Sequence, residues 1–378
     1  MAKLLSSLFF AFFLLLHHLF FLSTTCKATK ITKPDGKPIG NVPFFIFGDS
    51  FLDTGNNNYI NTTTLDQANF WPYGETYFNF PTGRFSDGRL LADFIAEYAN
   101  LPLIPPFLQP GIDRYYLGVN FASGGAGALV ETFEGDVIDL KAQMRMYKKV
   151  ENWLRQKLGN KEAKMKISKA VHLFSIGSND YMSPFLTNST LLKSFSNPTY
   201  VAMVIGNLTA VIKEIYELGG RKFAFMNLPA LGCVPAIRVL KPDNNGRCLE
   251  ETSLLASLHN KALSNLLFKL EKQLKGFKYS FFDFRTGLQQ RMDHPSKYGF
   301  KEGKIACCGT GKYRGVYSCG GKRIVKKFEL CENPNEYLFW DSFHLTEKAY
   351  RQLADQMWSG DTNSLALGPY NLKQLFHS

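Results

Sequence analysis

Hydrophobic residues gather in five short runs, separated by longer stretches in which apolar side chains recur every three or four positions. The runs Phe44–Phe47, Tyr116–Phe121, Ala170–Ile176, Lys222–Asn227 and Phe277–Phe282 are short and rich in aromatic or β-branched residues, and they read as buried strands. The stretches between them carry helical spacing. Arg89–Tyr98 sets Leu90, Phe94, Ile95 and Tyr98 on one side, and Asp139–Lys157 sets Leu140, Met144, Tyr147, Val150 and Leu154. Thr199–Leu218 and Glu250–Lys275 are longer, the second with a stripe of Leu255, Leu258, Ala262, Leu266 and Leu270. These stripes are core-packing faces. Strand–helix–strand order over this length predicts a parallel sheet covered on both faces. The region Asp283–Glu336 departs from the pattern: it is loop-rich, holds four cysteines and reads as a disulfide-tied excursion.

The N-terminus lies outside that alternation. Lys3 and Leu4-Leu5 lead into an apolar run from Leu8 to Leu22, broken only by His17-His18, and then into small residues from Ser23 to Ala28. This is the layout of a secretory signal peptide over residues 1–28; as a membrane span the apolar core is short and the histidines interrupt it. Residues 29–41 then form an N-terminal segment, 42–360 the folded domain and 361–378 a C-terminal tail. No second apolar segment is long enough to cross a membrane, so no stable membrane anchor is expected.

Cysteine usage agrees with export. Of seven cysteines, Cys26 falls in the leader, and the remaining six predict three disulfides. Cys233 and Cys248 would close a Pro-, Asn- and Gly-rich loop. Cys307, Cys308, Cys319 and Cys331 pair among themselves in an order the sequence leaves open, except that the neighbours Cys307 and Cys308 are not expected to join, since a vicinal bridge is strained. Zinc is the alternative use of such a set, but no paired C-x-x-C and no nearby His pair accompanies it, so no metal or cofactor is expected. Glycosylation sequons at Asn61, Asn188 and Asn207 also fit export. The formal charge of +12 is spread along the chain without a long Lys/Arg block. It suits solubility or attraction to an acidic matrix, and it speaks against a nucleic-acid partner. With 45 % hydrophobic residues, global disorder is excluded.

Chemistry gathers where the apolar runs end. The first run breaks at Gly48-Asp49-Ser50, which sets a serine just past the carboxyl end of a buried strand, the edge where open α/β sheets bind ligands. The second is followed by Ala122-Ser123-Gly124-Gly125-Ala126-Gly127, a turn that lacks the Lys-Ser/Thr of a phosphate loop but can bring a backbone N–H close to a developing oxyanion. After the third comes Gly177-Ser178-Asn179-Asp180, whose asparagine can donate its amide to the same oxyanion. Near the C-terminus, Asp341 stands three residues before His344, ahead of a capping Thr346 and a helix with Ala349, Leu353 and Met357. A carboxylate beside an imidazole fixes its tautomer and stabilises the imidazolium, as a general base in acyl transfer requires. Each stretch alone reads as a turn or cap; together, in this order on an α/β chain, they supply the parts of an esterase site.

These stretches, with Asp53-Thr54-Gly55-Asn56-Asn57-Asn58, Phe80-Pro81-Thr82-Gly83-Arg84-Phe85-Ser86-Asp87-Gly88-Arg89, Asn227-Leu228-Pro229, Gly232-Cys233, Cys307-Cys308-Gly309 and Trp340-Asp341-Ser342-Phe343-His344, resemble the plant GDSL-type esterase/lipases of the SGNH hydrolase superfamily. The resemblance runs from Val42 to about Gly360. It implies a flavodoxin-like three-layer α/β/α sandwich with a central parallel sheet. It further implies Ser50 as nucleophile, His344 as base and Asp341 as its partner, with an oxyanion hole from the Ser50 N–H, Asn179 and a glycine of the second block, Gly125 rather than Gly124. The expected activity is hydrolysis of carboxylic esters, on a lipid, an acylated small molecule or an acylated polysaccharide, by a protein secreted to the apoplast or cell wall. The same site would serve acyl transfer to an alcohol, and a catalytically silent defence-related binding protein would keep the same fold. Two positions depart from the family pattern: Phe51 replaces a leucine after the serine, and Leu345 replaces a proline after the histidine, a change expected to loosen the backbone that aims His344.

Overall fold

The structure, a computed structural model, describes residues 40–240, 247–360 and 368–378; the leader at 1–28 and all but the end of segment 29–41 lie outside the described residues. Five strands form the central sheet: β1 (Phe44–Gly48), β2 (Gly118–Asn120), β3 (Val171–Ser175), β4 (Lys222–Met226) and β5 (Lys278–Phe282). Each lies within one of the five apolar runs, apart from β1, which extends one residue further to Gly48. All pairings are parallel, in the order β2-β1-β3-β4-β5. This is the flavodoxin-like order, whose switch point lies between β1 and β3.

Alternation along β1 explains why both faces are covered. Phe44 meets Phe376 on one face, while Phe45 and Phe47 meet Tyr147 on the other. Register then lines up Phe45, His172 and Phe223 across three strands, and Phe47, Phe174 and Phe225 beside them. Their rings stack at 4.8 to 5.5 Å. Each such cross-strand pair contributes about 0.2–1 kcal/mol. His172 belongs to this ladder: burial lowers its pKa to about 4, so it sits neutral in the core, with Nε2 2.9 Å from the Tyr147 hydroxyl.

Helices α1 (Leu91–Tyr98), α2 (Leu140–Leu158), α3 (Asn160–Lys169), α4 (Ser178–Leu186), α5 (Asn197–Glu217), α6 (Pro235–Arg238), α7 (Glu250–Gln273), α8 (Phe284–Asp293), α9 (Glu347–Ser359) and α10 (Leu372–His377) fill the outer layers. One layer joins α2, α5 and α7; the other joins α1, α9 and α10. Four elements differ from the sequence reading. Helix α3 buries only Ala163 and Ile167, too little for a visible stripe. Helix α4 contains Pro184 and opens on residues that read as a turn. The excursion 283–336 is less loop-like than expected: α8 opens it, capped by Asp283, and buries Phe284, Leu288 and Met292 at i, i+4, i+8. Short strands β6 (Glu302–Ala306), β7 (Cys308–Gly309), β8 (Glu329–Leu330) and β9 (Tyr337–Phe339) follow, β6 pairing with β9 and β7 with β8. The end of the segment expected as a tail packs as α10, burying Leu372, Leu375 and Phe376.

Three disulfides tie the chain: Cys233–Cys248 as expected, Cys307–Cys331 and Cys308–Cys319. On α7 the buried row is Leu255, Ala256, His259, Leu263, Leu267 and Leu270; Leu258, Ala262 and Leu266 of the expected stripe are half-buried. His259 is buried in this row, with its Nδ1 2.9 Å from the Tyr181 hydroxyl. Leu267→Ala should therefore cost about 2–5 kcal/mol, and Leu266→Ala much less. Urea unfolding with unchanged slope would measure both; equal costs would restore the other face.

Candidate active site

The site grows from the end of β1. A Cβ at Gly48 would collide with the Ser175 carbonyl, so only glycine lets the chain pass β3 here. Gln143 of α2 holds both backbone groups of Gly48: its Oε1 accepts from the Gly48 N–H (2.9 Å) and its Nε2 donates to the Gly48 carbonyl (2.8 Å). The sequence reading passed over Gln143; the available signal was an uncharged polar residue on the buried face of a helix. Beyond Gly48 the chain closes a tight turn, in which the Leu52 and Asp53 N–H groups both donate to the Asp49 carbonyl. Ser50 stands on this turn.

His344 arrives from the other end of the chain. Its Nε2 lies 2.7 Å from Ser50 Oγ, and its Nδ1 lies 2.8 and 2.9 Å from the two Asp341 oxygens. Asp341 is fixed independently of the imidazole: Oδ1 accepts from the Phe343 and His344 N–H groups, and Oδ2 accepts from the Tyr73 hydroxyl at 2.7 Å. Burial would push Asp341 up, but the charge of His344 and the hydrogen bonds from His344, Tyr73 and the Phe343 N–H outweigh it and hold its pKa at about 2. Nothing in the sequence pointed to Tyr73, a loop residue far away in the chain. The two departures fit their surroundings. Phe51 packs edge-on against Phe284 and Tyr350 and lies beside His344. Leu345 is fully buried and bridges Phe339, and the Trp340 N–H donates to the His344 carbonyl (2.8 Å), so the backbone that carries His344 is held.

Asn179 lies in the first turn of α4, so the positive end of that helix faces the same region. Its amide donates one hydrogen to the Ala126 carbonyl (2.9 Å), and among the described residues the second has no acceptor. The two glycines of the second block separate clearly. The Gly124 N–H donates to Asp53 Oδ2 (3.0 Å), whereas among the described residues no group accepts from the Gly125 or Ser50 N–H. Gly125 has φ +80°, a backbone that favours glycine. Asp180 anchors the neighbouring loop by accepting from the Ala128 and Leu129 N–H groups and the Thr132 hydroxyl.

Ser50, Gly125, Asn179 and His344 all line one cavity of about 410 Å³, and Phe51, Met182, Leu186, Leu231, Val234 and Phe343 make its wall largely apolar. Asp341 does not line it but stands behind His344, fully buried. The arrangement can deprotonate a hydroxyl, hold a tetrahedral oxyanion and accommodate an apolar chain. The Asp49 carboxylate, also in the wall, accepts from the Phe51 N–H through Oδ1, and among the described residues its Oδ2 has no partner; burial, the Phe51 N–H and the charge of Asp180 together leave its pKa at about 7.

The family model described as GDSL-like Lipase/Acylhydrolase matches residues 44–357. The chain is 64 % identical over 335 residues to GDSL esterase/lipase 5 of Arabidopsis thaliana, covering 88 % of this chain and 86 % of that protein. It is 56 % identical over 335 residues to GDSL esterase/lipase 1 of the same plant, covering 88 % and 89 %. To a GDSL lipase of Tanacetum cinerariifolium it is 51 % identical over 332 residues, covering 88 % and 87 %.

The buried carboxyls set a pH dependence. A pKa raised on folding, as for Asp49 (about 7) and for Asp53, Asp66, Asp87 and Asp180 (about 6), gives stability that is full below the unfolded value of 3.8 and lost as pH rises through 6 to 7. Asp341, lowered to about 2, has the opposite sign and loses its contribution as pH falls from 3.8 through 2; the buried His172 and His259, lowered to about 4 and about 3, also lose theirs as pH falls below 6.5, and at pH 5 they offset part of what the five raised carboxyls supply. The melting temperature should therefore be higher at pH 5 than at pH 8, and Asp49→Asn should narrow the gap. A flat or rising melting temperature between these pH values would contradict this reading.

Proposed function

The chain belongs to the GDSL-like lipase/acylhydrolase family of carboxylic ester hydrolases, and on that premise we propose that it is a secreted esterase in which Ser50, His344 and Asp341 carry the chemistry. The observation that supports this most directly is the hydrogen-bonded line from Ser50 Oγ through His344 to Asp341. Ser50 Oγ attacks the ester carbonyl and its proton passes to His344 Nε2. The tetrahedral oxyanion is held by the N–H groups of Ser50 and Gly125 and by the free hydrogen of Asn179. The imidazolium then gives its proton to the leaving alcohol, and an acyl-Ser50 ester remains. Water repeats the sequence with His344 as base, releasing the acid and restoring the serine.

The apolar wall supports an acyl chain, lipid or other, as the group bound beside Ser50. Each methylene it buries adds about 0.8 kcal/mol, about fourfold in kcat/KM, until the cavity is full. Export is supported by the three disulfides and by the exposure of Asn61, Asn188 and Asn207, where glycans would find room. Among the described residues no helix is long and apolar enough to cross a membrane.

An ester series from acetyl to long acyl, run with and without added alcohol acceptors, tests substrate and reaction together. A rise in kcat/KM with chain length followed by a plateau is expected; no dependence on length would remove the acyl-site assignment. Ser50→Ala should abolish turnover and acyl-enzyme formation. His344→Ala should cost nearly as much, and the double mutant little more than either single. Asn179→Ala should fold normally and lower kcat on the order of a hundredfold with KM little changed. Asp341→Ala should keep more activity than the Ser50 or His344 variant but melt lower, because Tyr73 and the Phe343 N–H lose their acceptor. Wild-type turnover in Ser50→Ala would end the assignment.

A further inference from the structure

Behind Asp341 lies a cation that the ester chemistry leaves without a task. Arg323 is fully buried, and it stands in the loop closed by Cys307–Cys331, just past Cys319 of the second bridge. Its Nη2 donates to the Tyr73 oxygen at 2.9 Å, and Tyr73 donates onward to Asp341 Oδ2 at 2.7 Å. Chemistry fixes both directions: a guanidinium has no acceptor, so the tyrosine oxygen accepts from it and its only proton is left for the carboxylate. The guanidinium lies over the Tyr317 ring at 3.9 Å, with Phe70 at 5.0 Å and Tyr73 at 5.5 Å. Among the described residues no carboxylate pairs with it directly, and its Nε and Nη1 have no acceptor. A buried cation left this poorly paired is unfavourable for folding. An apolar side chain among these rings would serve stability better, so the charge requires another explanation.

We propose that Arg323 and Tyr73 are positioning residues for the reaction: the guanidinium fixes the Tyr73 hydroxyl as a donor, and the two together keep Asp341 ionised, with Oδ2 engaged and Oδ1 presented to His344. This rests on the Ser50–His344–Asp341 reading above. Several other titratable groups act on this cluster. Tyr317 shares the field of Asp341 and Arg323, Asp66 acts on Tyr317 and Arg323, and Tyr350 of α9 feels Asp341, Asp49 and Asp87. Of these groups Arg323 is the cation, and it faces the Asp341 carboxylate through the Tyr73 hydroxyl. Arg323 is hidden in the sequence because Lys322-Arg323-Ile324-Val325-Lys326-Lys327 reads as a solvated basic run; Ile324 is 78 % exposed, while Arg323 turns inward.

The test uses the secreted full-length protein and a soluble short-chain ester, with kcat/KM followed against pH for wild type, Arg323→Met, Arg323→Lys, Tyr73→Phe and the Arg323→Met/Tyr73→Phe double variant. Loss of the cation should stabilise the imidazolium and move the acid limb to higher pH, on the order of one unit. It should also lower kcat by roughly tenfold, with KM unchanged. Arg323→Lys keeps the charge and should return the limb toward wild type. Tyr73→Phe keeps the ring packed against Phe70, Phe85 and Trp340, so it reports even if Arg323→Met fails to fold. It should move the limb the same way, and the double variant should go little further than Arg323→Met. Lowered melting temperatures with the limb unmoved would overturn the proposal in favour of a structural role, and additive shifts in the double variant would overturn the relay. Labelling of wild-type Ser50 by a fluorophosphonate separates the two readings. Labelled Ser50 with an unmoved limb removes only the role of Arg323 and Tyr73, whereas an unlabelled Ser50 removes the triad and this proposal with it.

Discussion

β1 and β3 pair in parallel from Phe44↔Val171 to Gly48↔Ser175, yet the chain leaves their carboxyl ends toward opposite edges of the sheet, to β2 from one and to β4 from the other. The loops that follow must diverge, and the crevice between them is the one place at this end of the sheet where two strand-borne residues can face a common small volume. Adjacent strands lie about 4.8 Å apart, a spacing that brings residues just past neighbouring strand ends close together. Ser50 and Asn179 occupy those two ends. The stacked aromatic ladder behind them, Phe47 on Phe174 on Phe225, resists any slip in register that would separate them.

The loops around this crevice have no ladder of their own, so side chains do the work of secondary structure. Asp53 accepts from the Gly55, Asn56 and Gly124 N–H groups. Asn56 donates to the Asn120 and Ala122 carbonyls, and Asn57 donates to those of Asp66 and Gly124. The Asp-Thr-Gly-Asn-Asn-Asn run is thus a clamp that fastens the serine loop to the glycine loop. Each bond adds only about 1 kcal/mol net, but an unmet buried group would cost about 1–3. The same burial that makes the clamp necessary raises the carboxyl pKa of Asp53 to about 6 despite its three donors.

Much of this was legible because it rests on local pattern. Five aromatic or β-branched runs gave five strands, and the residues just past β1 and β3 fell where the parallel order requires. Gly125 is preferred to Gly124 in the sequence only through the family resemblance; the physical reason, Asp53 occupying the Gly124 N–H, shows in three dimensions. The face of α7 was misjudged because leucines fill adjacent rows, and a polar residue, His259, marks the buried one. Tyr73 and Arg323 left no local trace. Their meaning depends on contacts spanning some 250 residues, and a tyrosine in a loop or an arginine in a basic run looks the same whether it faces water or a carboxylate.

The two halves of the site are held by different forces, which bears on how the line from Ser50 through His344 to Asp341 is kept short. Ser50 stands beside Phe51 and Leu52 of the main core, and Asn179 follows Ile176 of the same core. Asp341 follows Trp340, which sits in a separate cluster with Ala68, Phe70, Tyr73, Phe85 and the four cysteines of the excursion. A cluster that small buries too little apolar surface to hold its shape alone, and disulfides are the usual remedy. The bridges Cys307–Cys331 and Cys308–Cys319 supply it, while Arg89 joins Glu347 and the Asp87 carboxylate accepts from the Glu347 N–H, docking the segment of Phe85 onto α9. Phe85 then lies 4.7 Å from the His344 ring. The imidazole is thus held between two clusters: the stapled aromatic one through Phe85, and the main core through Phe51 and the buried Leu345 that follows His344.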